Sequence, residues 1–470
     1  MSISNLLKIY HHLPVFTQNV VFSLYGLSLR SQRYNKTFRE AFSFLKSSEW
    51  WDKNKINNYQ NRQLYNIIDY SFNNVPYYNE LFRKHNISPS ENLIRDQLQK
   101  IPLLNKSIIK NNYKELRSVN IPDNSVSYGY TGGTTGSPLK LTYDKITIPW
   151  QWAVWWRHRN RFGVNINDPF IVFGGKDAVP SNTKKAPFWR RNISMHQTYV
   201  SIHRLTRNDL PILAEYLFKR KVVYYSGHPS SLYTVASFFI ENKIKLPHPP
   251  RKVFTGAETL LPHQKRAIES AFDTKISDQY GAAEYCFNIS ECENFKYHID
   301  FEFGFIELLP IKGMPDNIRK VVATGFKNYA MPLIRYDIGD LVTLSNETCT
   351  CGRESPIIEK IDGRMDSYIL TPDGKRLGRL GFLFYHCKNI KEAQIVQNEL
   401  STVIFRIVKN HNYNEQDEKQ LIETIQDYMG TSFKIKLEYL SSIPREKNGK
   451  FRQIVSTIFR DKLLENCELQ

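Results

Sequence analysis

From about residue 168 to residue 345, short β-branched and aromatic runs stop at glycine and are then separated by stretches of helical length. Phe170-Ile171-Val172-Phe173 ends in Gly174-Gly175, and Val222-Val223-Tyr224-Tyr225 ends in Ser226-Gly227. Val253-Phe254 ends in Thr255-Gly256, and Ile276 leads to Tyr280-Gly281. Short strands of this kind, alternating with helices, predict an α/β fold that carries its ligands at the strand ends. Ahead of this region, residues 1–120 read as a helical, aromatic-rich lead-in containing Trp50-Trp51 and the turn-like Asn74-Val75-Pro76-Tyr77-Tyr78. The tryptophans of Pro149 to Trp156 fall near helical spacing, which favours core packing over a ligand cage.

A boundary is expected at Asp362-Gly363-Arg364-Met365-Asp366, dividing the chain into domains 1–365 and 366–470. Past it, Ala393 to Gln397, Thr402 to Val408 and Phe433 to Leu440 read as strands, and Glu415 to Met429 as a helix stopped by Gly430. That pattern predicts a small α+β domain able to fold as a unit. There are no internal repeats or low-complexity tracts.

Lysine and arginine number 64 against 46 acidic residues, a formal charge of +18. The excess favours an anionic partner: nucleic acid, an anionic membrane surface or a phosphate-rich substrate. It is spread in short groups such as Arg190-Arg191 and Lys219-Arg220-Lys221, so a solvated basic surface accounts for it equally well. Six cysteines in 470 residues do not make a disulfide framework. The most apolar early stretch, Leu13 to Leu29, is interrupted by Pro14, Gln18 and Asn19, making it a poor spanning helix. No signal peptide is expected, and the cytoplasm is the default location, with peripheral contact at the membrane's inner face left open.

The strongest local signal is Tyr130-Thr131-Gly132-Gly133-Thr134-Thr135-Gly136-Ser137-Pro138-Leu139-Lys140. Glycines let a backbone approach phosphate closely with N–H groups turned inward, hydroxyls add donors, and Lys140 adds charge. It is not a P-loop, because Ser-Pro follows Gly136. Alone it reads equally as an ordinary tight loop. Tyr280-Gly281-Ala282-Ala283-Glu284 offers an aromatic face for a base and a carboxylate for Mg²⁺. Pro332-Leu333-Ile334-Arg335-Tyr336-Asp337-Ile338-Gly339-Asp340 sets two acids around a glycine turn, suited to a ribose diol. Pro444-Arg445-Glu446-Lys447-Asn448-Gly449-Lys450 places a lysine where it could neutralise charge at a reacting phosphate. Each motif by itself also reads as a surface turn.

Together and in this order, over nearly the whole chain, these motifs resemble the adenylate-forming superfamily. The closer match is its phenylacetate–coenzyme A ligase-like branch, including members associated with capsular polysaccharide synthesis. The resemblance extends to Gln60, Tyr65 and Val75-Pro76-Tyr77-Tyr78. It implies a large N-terminal adenylate-forming domain and a smaller, mobile C-terminal domain. It further implies an enzyme that uses ATP and Mg²⁺ to activate a small-molecule carboxylate, with Lys450 and Glu284 catalytic. Thr131 to Lys140 would cover the phosphates; Gly256-Ala257-Glu258, Tyr280 and Gly281 would frame the adenine. Glu284 would hold Mg²⁺, and Asp340, with Arg364 nearby, would hold the ribose. Asp366 would be the hinge, and Tyr224, Tyr225, Gly227 and His228 would border the acyl pocket. The two tyrosines read equally as strand-end core residues, and His228 as a hydrogen-bonded structural residue.

Cys292 and His298 are separated by five residues, and Cys349-Thr350-Cys351 is a tight thiol pair. Four such ligands could close a tetrahedral Zn²⁺ site tying two loops together, with isolated reduced thiols as the alternative. The resemblance favours structural zinc, since similar positions recur in the branch. Cys286, Cys387 and Cys467 have no evident partners. After the hinge, Ser367 to Arg376 lacks the glycine-rich basic loop of many coenzyme A ligases, which places the thioester step in question. The acceptor is therefore coenzyme A, or an amine or glycan hydroxyl in a coenzyme A-independent ligase. A basic nucleic-acid-binding protein is the alternative from another class, but the ordered nucleotide motifs argue against it and no nucleic-acid partner is expected.

Overall fold

The structure, a computed structural model, describes residues 9–131, 139–175, 178–180, 183, 185–206, 208–311, 314–345, 347–364, 368–372, 376–378, 380–384, 389–429, 433–445 and 451–458. The fold is mixed α/β and divides into two compact units. The larger comprises residues 1–338 and 342–361, the smaller residues 339–341 and 362–470.

The larger unit opens with the helical lead-in: α1 (Val15–Arg33), α2 (Lys36–Ser48), α3 (Lys53–Asn74), α4 (Pro76–Lys84), α5 (Ile94–Lys100) and α6 (Lys106–Asn111). Local chemistry explains the breaks. The side chains of Asn35, Asp52 and Asn105 accept the N–H groups of Phe38, Lys55 and Ile108, satisfying donors that the first helical turn leaves unpaired. Pro76 ends α3 and starts α4, where its missing N–H costs nothing. Helix α2 turns Phe38, Ala41, Leu45 and Ser48 inward at helical spacing.

A hairpin of β1 (Ser127–Tyr130) and β2 (Lys140–Tyr143) follows, then α7 (Thr147–Arg161). Trp156 of α7 is buried, its indole donating to Tyr34, as core packing requires. Next come β3 (Phe170–Gly174), β4 (Trp189–Asn192), β5 (Gln197–Ser201), α8 (Leu210–Phe218), β6 (Tyr224–Gly227), α9 (Pro229–Glu241), β7 (Lys252–Gly256), α10 (Pro262–Phe272) and β8 (Ile276–Gly281). The glycine-terminated runs are β3, β6, β7 and β8, parallel neighbours in that order. A Cβ at Gly227 would meet the Phe173 carbonyl at 2.8 Å, and one at Gly256 the Gln279 carbonyl at 3.0 Å. These glycines are demanded at least partly by the close passage of the next strand.

The sheet does not stop there. β9 (Asn288–Glu291) pairs antiparallel with β8, and β10 (Tyr297–Ile299), β11 (Gly304–Pro310), β12 (Ile318–Gly325), β13 (Tyr336–Leu344) and β14 (Ile357–Arg364) extend it. The twelve-stranded order is β11-β12-β13-β14-β10-β9-β8-β7-β6-β3-β5-β4. A buried ion cluster pins the lead-in and α7 beside this extension. Arg157 donates to Asp300 and Glu302 at 2.6 Å each and to the Leu45 carbonyl at 3.2 Å, and Ser48 donates to Glu302 at 2.6 Å. Such pairs survive burial because nearly every lone pair finds a donor.

In the smaller unit, β15 (Tyr368–Leu370) pairs with β16 (Arg376–Gly378). A four-stranded sheet follows, built from β17 (Ile390–Glu399), β18 (Thr402–Lys409), β19 (Lys434–Tyr439) and β20 (Ile454–Ser456) in the order β19-β18-β17-β20. Helix α11 (Glu415–Met429) contributes Leu421, Ile425 and Met429 to a core with Ile395, Val403, Phe405 and Ile407.

Candidate functional site

The two ends of the glycine-threonine segment are held together. Thr131 N–H donates to the Leu139 carbonyl at 3.0 Å, and Leu139 N–H donates to Thr131 Oγ1 at 3.1 Å. Tyr130 and Lys140 are cross-strand partners, so β1 and β2 hold the two ends of the segment next to each other. Gly132, Gly133, Thr134, Thr135 and Gly136 lie outside the described residues. The Lys140 ammonium rests over the Tyr128 and Tyr113 rings, 4.5 and 5.0 Å from their centroids. Its charge thus sits at the base of the hairpin.

Beside this hairpin runs the turn that follows β8. Tyr143 Oη of β2 donates to the Ala283 carbonyl at 2.5 Å, and the Tyr143 and Tyr285 rings pack at 5.0 Å. Burial, joined by the neighbouring Tyr285 phenol and Glu284, raises the Tyr143 phenol far above its usual range and keeps it a donor. Gly129 leaves room for that ring: a Cβ there would meet it at 2.5 Å. Glu284 is buried and accepts a 2.7 Å hydrogen bond from Tyr336 Oη. Tyr280 is half-buried against Phe287, and a Cβ at Gly281 would meet Asn288 Oδ1 at 2.9 Å. The glycine-threonine hairpin and the Glu284 turn are therefore brought side by side. The tyrosines that do it were not singled out from sequence; Tyr336 stood inside a quoted motif, while nothing local marks Tyr143.

At the end of β7, Ala257 adopts φ +69°, a left-handed turn unusual for a residue with a Cβ. Glu258 beyond it accepts from Ser230 N–H and Ser230 Oγ, at 3.1 Å each, and lies 3.5 Å from His228 Nδ1. A carboxylate at the N-terminus of α9 satisfies unpaired N–H groups and the helix dipole. Glu258 and His228 thus form one cluster at that helix start. Gly227 closes β6 next to it.

Tyr224 and Tyr225 fit the strand-end core reading that the sequence left open beside the acyl-pocket one. Both are fully buried on opposite faces of the sheet, as strand alternation requires. Tyr224 stacks on Phe170 at 4.6 Å; Tyr225 packs edge-on against Phe173 and Phe272. They are core residues in this structure. Arg335 is also structural: it makes a two-pronged ion pair with Glu307 and donates to the Gln99 and Ile101 carbonyls. Asp340 is buried within β13. Arg364 ends β14, and Asp366 and Lys450 lie outside the described residues.

Cys292, His298, Cys349 and Cys351 converge, their ligand atoms all within 4.8 Å of one another. Cys292 Sγ and Cys349 Sγ are 3.6 Å apart, and Cys351 Sγ is 3.4 Å from His298 Nε2. A tetrahedron of Zn–S bonds of about 2.3 Å and a Zn–N bond of about 2.0 Å has S···S edges near ~3.8 Å and S···N edges near ~3.5 Å. The donor set fits that metal. His298 Nδ1 faces Ser355 Oγ at 3.0 Å and the Ser355 carbonyl at 3.2 Å; a proton on Nδ1 shared with that carbonyl would turn the Nε2 lone pair toward the thiols. Burial and then Arg161 push the imidazole down to about 4, so it is neutral at physiological pH, as a ligand must be.

The described geometry can be set beside known proteins. Residues 369–457 match the family model of the CapK C-terminal domain. The chain is 26% identical over 458 residues to protein CapK of Staphylococcus aureus, covering 96% of this chain and 99% of that one. It is 22% identical over 448 residues to a phenylacetate-coenzyme A ligase of Thermus thermophilus, covering 86% and 97%. Among solved structures, 2-hydroxyisobutyryl-CoA ligase with 2-HIB-AMP superposes with a TM-score of 0.67 at 16% identity, covering 89% of this chain and 93% of that one. An anthranilate CoA ligase with anthranoyl-AMP superposes with a TM-score of 0.52 at 14% identity, covering 80% and 75%. The fold is that of the adenylate-forming ligases, a large N-terminal domain followed by a smaller C-terminal one. In sequence the chain is similar to CapK and, more distantly, to the phenylacetate-coenzyme A ligase, the branch that its motifs resemble.

Proposed function

We propose that this chain activates a small-molecule carboxylate with ATP and Mg²⁺, forming an acyl-adenylate and releasing pyrophosphate. The observation that carries the reading is the Tyr143 bridge, which sets the base of the β1–β2 hairpin against the turn holding Glu284. The segment Thr131 to Lys140 would cradle the phosphates, Gly256 to Glu258 with Tyr280 and Gly281 would frame the base, and Asp340 with Arg364 the ribose. Mg²⁺, held by Glu284, would supply the charge screening that lets a carboxylate approach a polyphosphate. Tyr336 orients the Glu284 carboxylate. Lys450 would neutralise the oxygens around the α-phosphorus as the carboxylate attacks in line, and Asp366 would be the hinge that exchanges it for another face.

Acyl transfer to coenzyme A is the first reading, supported by the ligase relatives. Direct transfer to an amine or glycan hydroxyl is the second, favoured by the CapK likeness and the departure at Ser367 to Arg376. The CapK likeness also supports a role in surface polysaccharide synthesis; the location proposed for it is the cytoplasm. The four-ligand cluster is read as a structural Zn²⁺ site.

The test is pyrophosphate release with ATP and Mg²⁺ across aryl, fatty, hydroxy, amino and sugar acids, with and without coenzyme A. Release that depends on one acid class supports adenylation, and stimulation by coenzyme A selects the thioester branch. Silence across the panel from folded, ATP-binding protein counts against the proposal.

A further inference from the structure

Helix α1 is inside-out. Its inward face is mostly polar, Phe22 against Tyr199 being an apolar exception, and its outward face carries an apolar stripe, the reverse of a helix resting on a hydrophobic core. Inward, Gln18 accepts from the buried Arg190 guanidinium, Asn19 Oδ1 accepts Arg191 N–H at 2.8 Å, and Ser23 Oγ accepts Ile193 N–H at 3.0 Å. Gly26 touches the Asn192 side chain so closely that a Cβ there would overlap it. Arg30 donates to the Ser194 carbonyl and to Asn167. Outward, Phe16, Val20, Leu24 and Leu27 follow one another at intervals of four, four and three residues, which is one helical stripe. Phe16 is 79% exposed, Leu24 60% and Leu27 54%, with Tyr25 beside them and Ile193, 69% exposed, on the adjoining turn.

An apolar stripe this exposed needs a partner, and charge identifies its class. The two segments that build the patch contain no aspartate or glutamate over residues 1–39 or 178–208, yet carry five and six lysines or arginines respectively. Arg191 is exposed next to the stripe. No helix among the described residues is long and apolar enough to cross a membrane. From an apolar stripe carried on segments rich in basic residues we infer that α1 lies on an anionic lipid bilayer, Phe16, Val20, Leu24, Leu27 and Ile193 entering the headgroup boundary and the exposed Arg191 facing lipid phosphates. This surface belongs to the larger unit and is argued independently of the adenylation reading.

The test is flotation of the full chain with phosphatidylcholine vesicles that do or do not contain phosphatidylglycerol, at low and high salt. Wild-type protein should float with the anionic vesicles, and salt should weaken the association. Phe16→Ser combined with Leu24→Ser should weaken it at least ~10-fold, with thermal midpoint and pyrophosphate release in solution unchanged. Arg191→Glu should weaken it by less, and Val119→Ser, at an exposed valine elsewhere, should leave it intact. Equal binding by wild type and the double variant would overturn the inference. So would a failure to bind vesicles accompanied by a concentration-dependent dimer that the double variant abolishes, which would assign the stripe to a second copy of the chain.

Discussion

Glu284 is a buried carboxylate, and burial of that group calls for donors or a cation. Tyr336 supplies one donor, to Oε1. Glu284→Gln keeps the shape but removes the charge; pyrophosphate release is expected to fall by ~10²-fold or more, with nucleotide binding retained. Tyr336→Phe frees the carboxylate to rotate, with an expected loss of ~10-fold that raised Mg²⁺ partly restores. Kinetics at varied Mg²⁺ separates the two. Tyr225 makes the opposite case. Its hydroxyl is buried with no hydrogen-bond partner among the described residues. Tyr225→Phe should leave kcat and KM unchanged and stabilise the fold, or leave it neutral, within about 1 kcal/mol. A changed acid preference in that variant would return Tyr225 to the substrate pocket.

At the scale of elements, the four residues proposed to hold zinc come from the β9–β10 region and the loop at 349–351. Cys349→Ser should drop bound metal from one zinc per chain to well below one and lower the thermal midpoint, measured by elemental analysis and calorimetry. The motif order and the glycine-ended strands were legible in sequence because each is local: a strand, its turn and the following helix lie within about thirty residues. Less legible were contacts such as Tyr336 to Glu284 and Tyr143 to Ala283, which span 52 and 140 residues. The antiparallel extension from β9 to β14 was also missed, because its edges depend on pairing between distant strands. Helix α1 was legible as a helix too interrupted to span a membrane, but the direction of its apolar stripe was not. Its apolar stripe is what a core-facing helix would carry, and only the hydrogen-bonding match of Gln18, Asn19 and Ser23 to β4 and the turn after it turns the stripe outward.

For the whole molecule, the adenylation reading places chemistry on both units, with Glu284 on the larger and Lys450 beyond the boundary near residue 362. Lys450→Ala should abolish adenylate formation while calorimetric ATP binding persists; unchanged turnover would sink the assignment. The division also predicts that the two units report separately on damage: loss of zinc should lower the melting of the first and leave the second's unaltered. The inside-out helix carries a consequence for the chain's life cycle. Arg190 is 1% exposed, and the acceptor for its Nε is Gln18. Clipping the chain before Tyr34 would strip away that acceptor and uncover the guanidinium together with the Asn192 and Ser194 side chains that the helix meets. The amino-terminal helix is therefore no detachable tag. A protease could not convert a surface-bound form into an equally sound free one, and departure from any surface the helix grips would follow the charge of that surface and the salt around it.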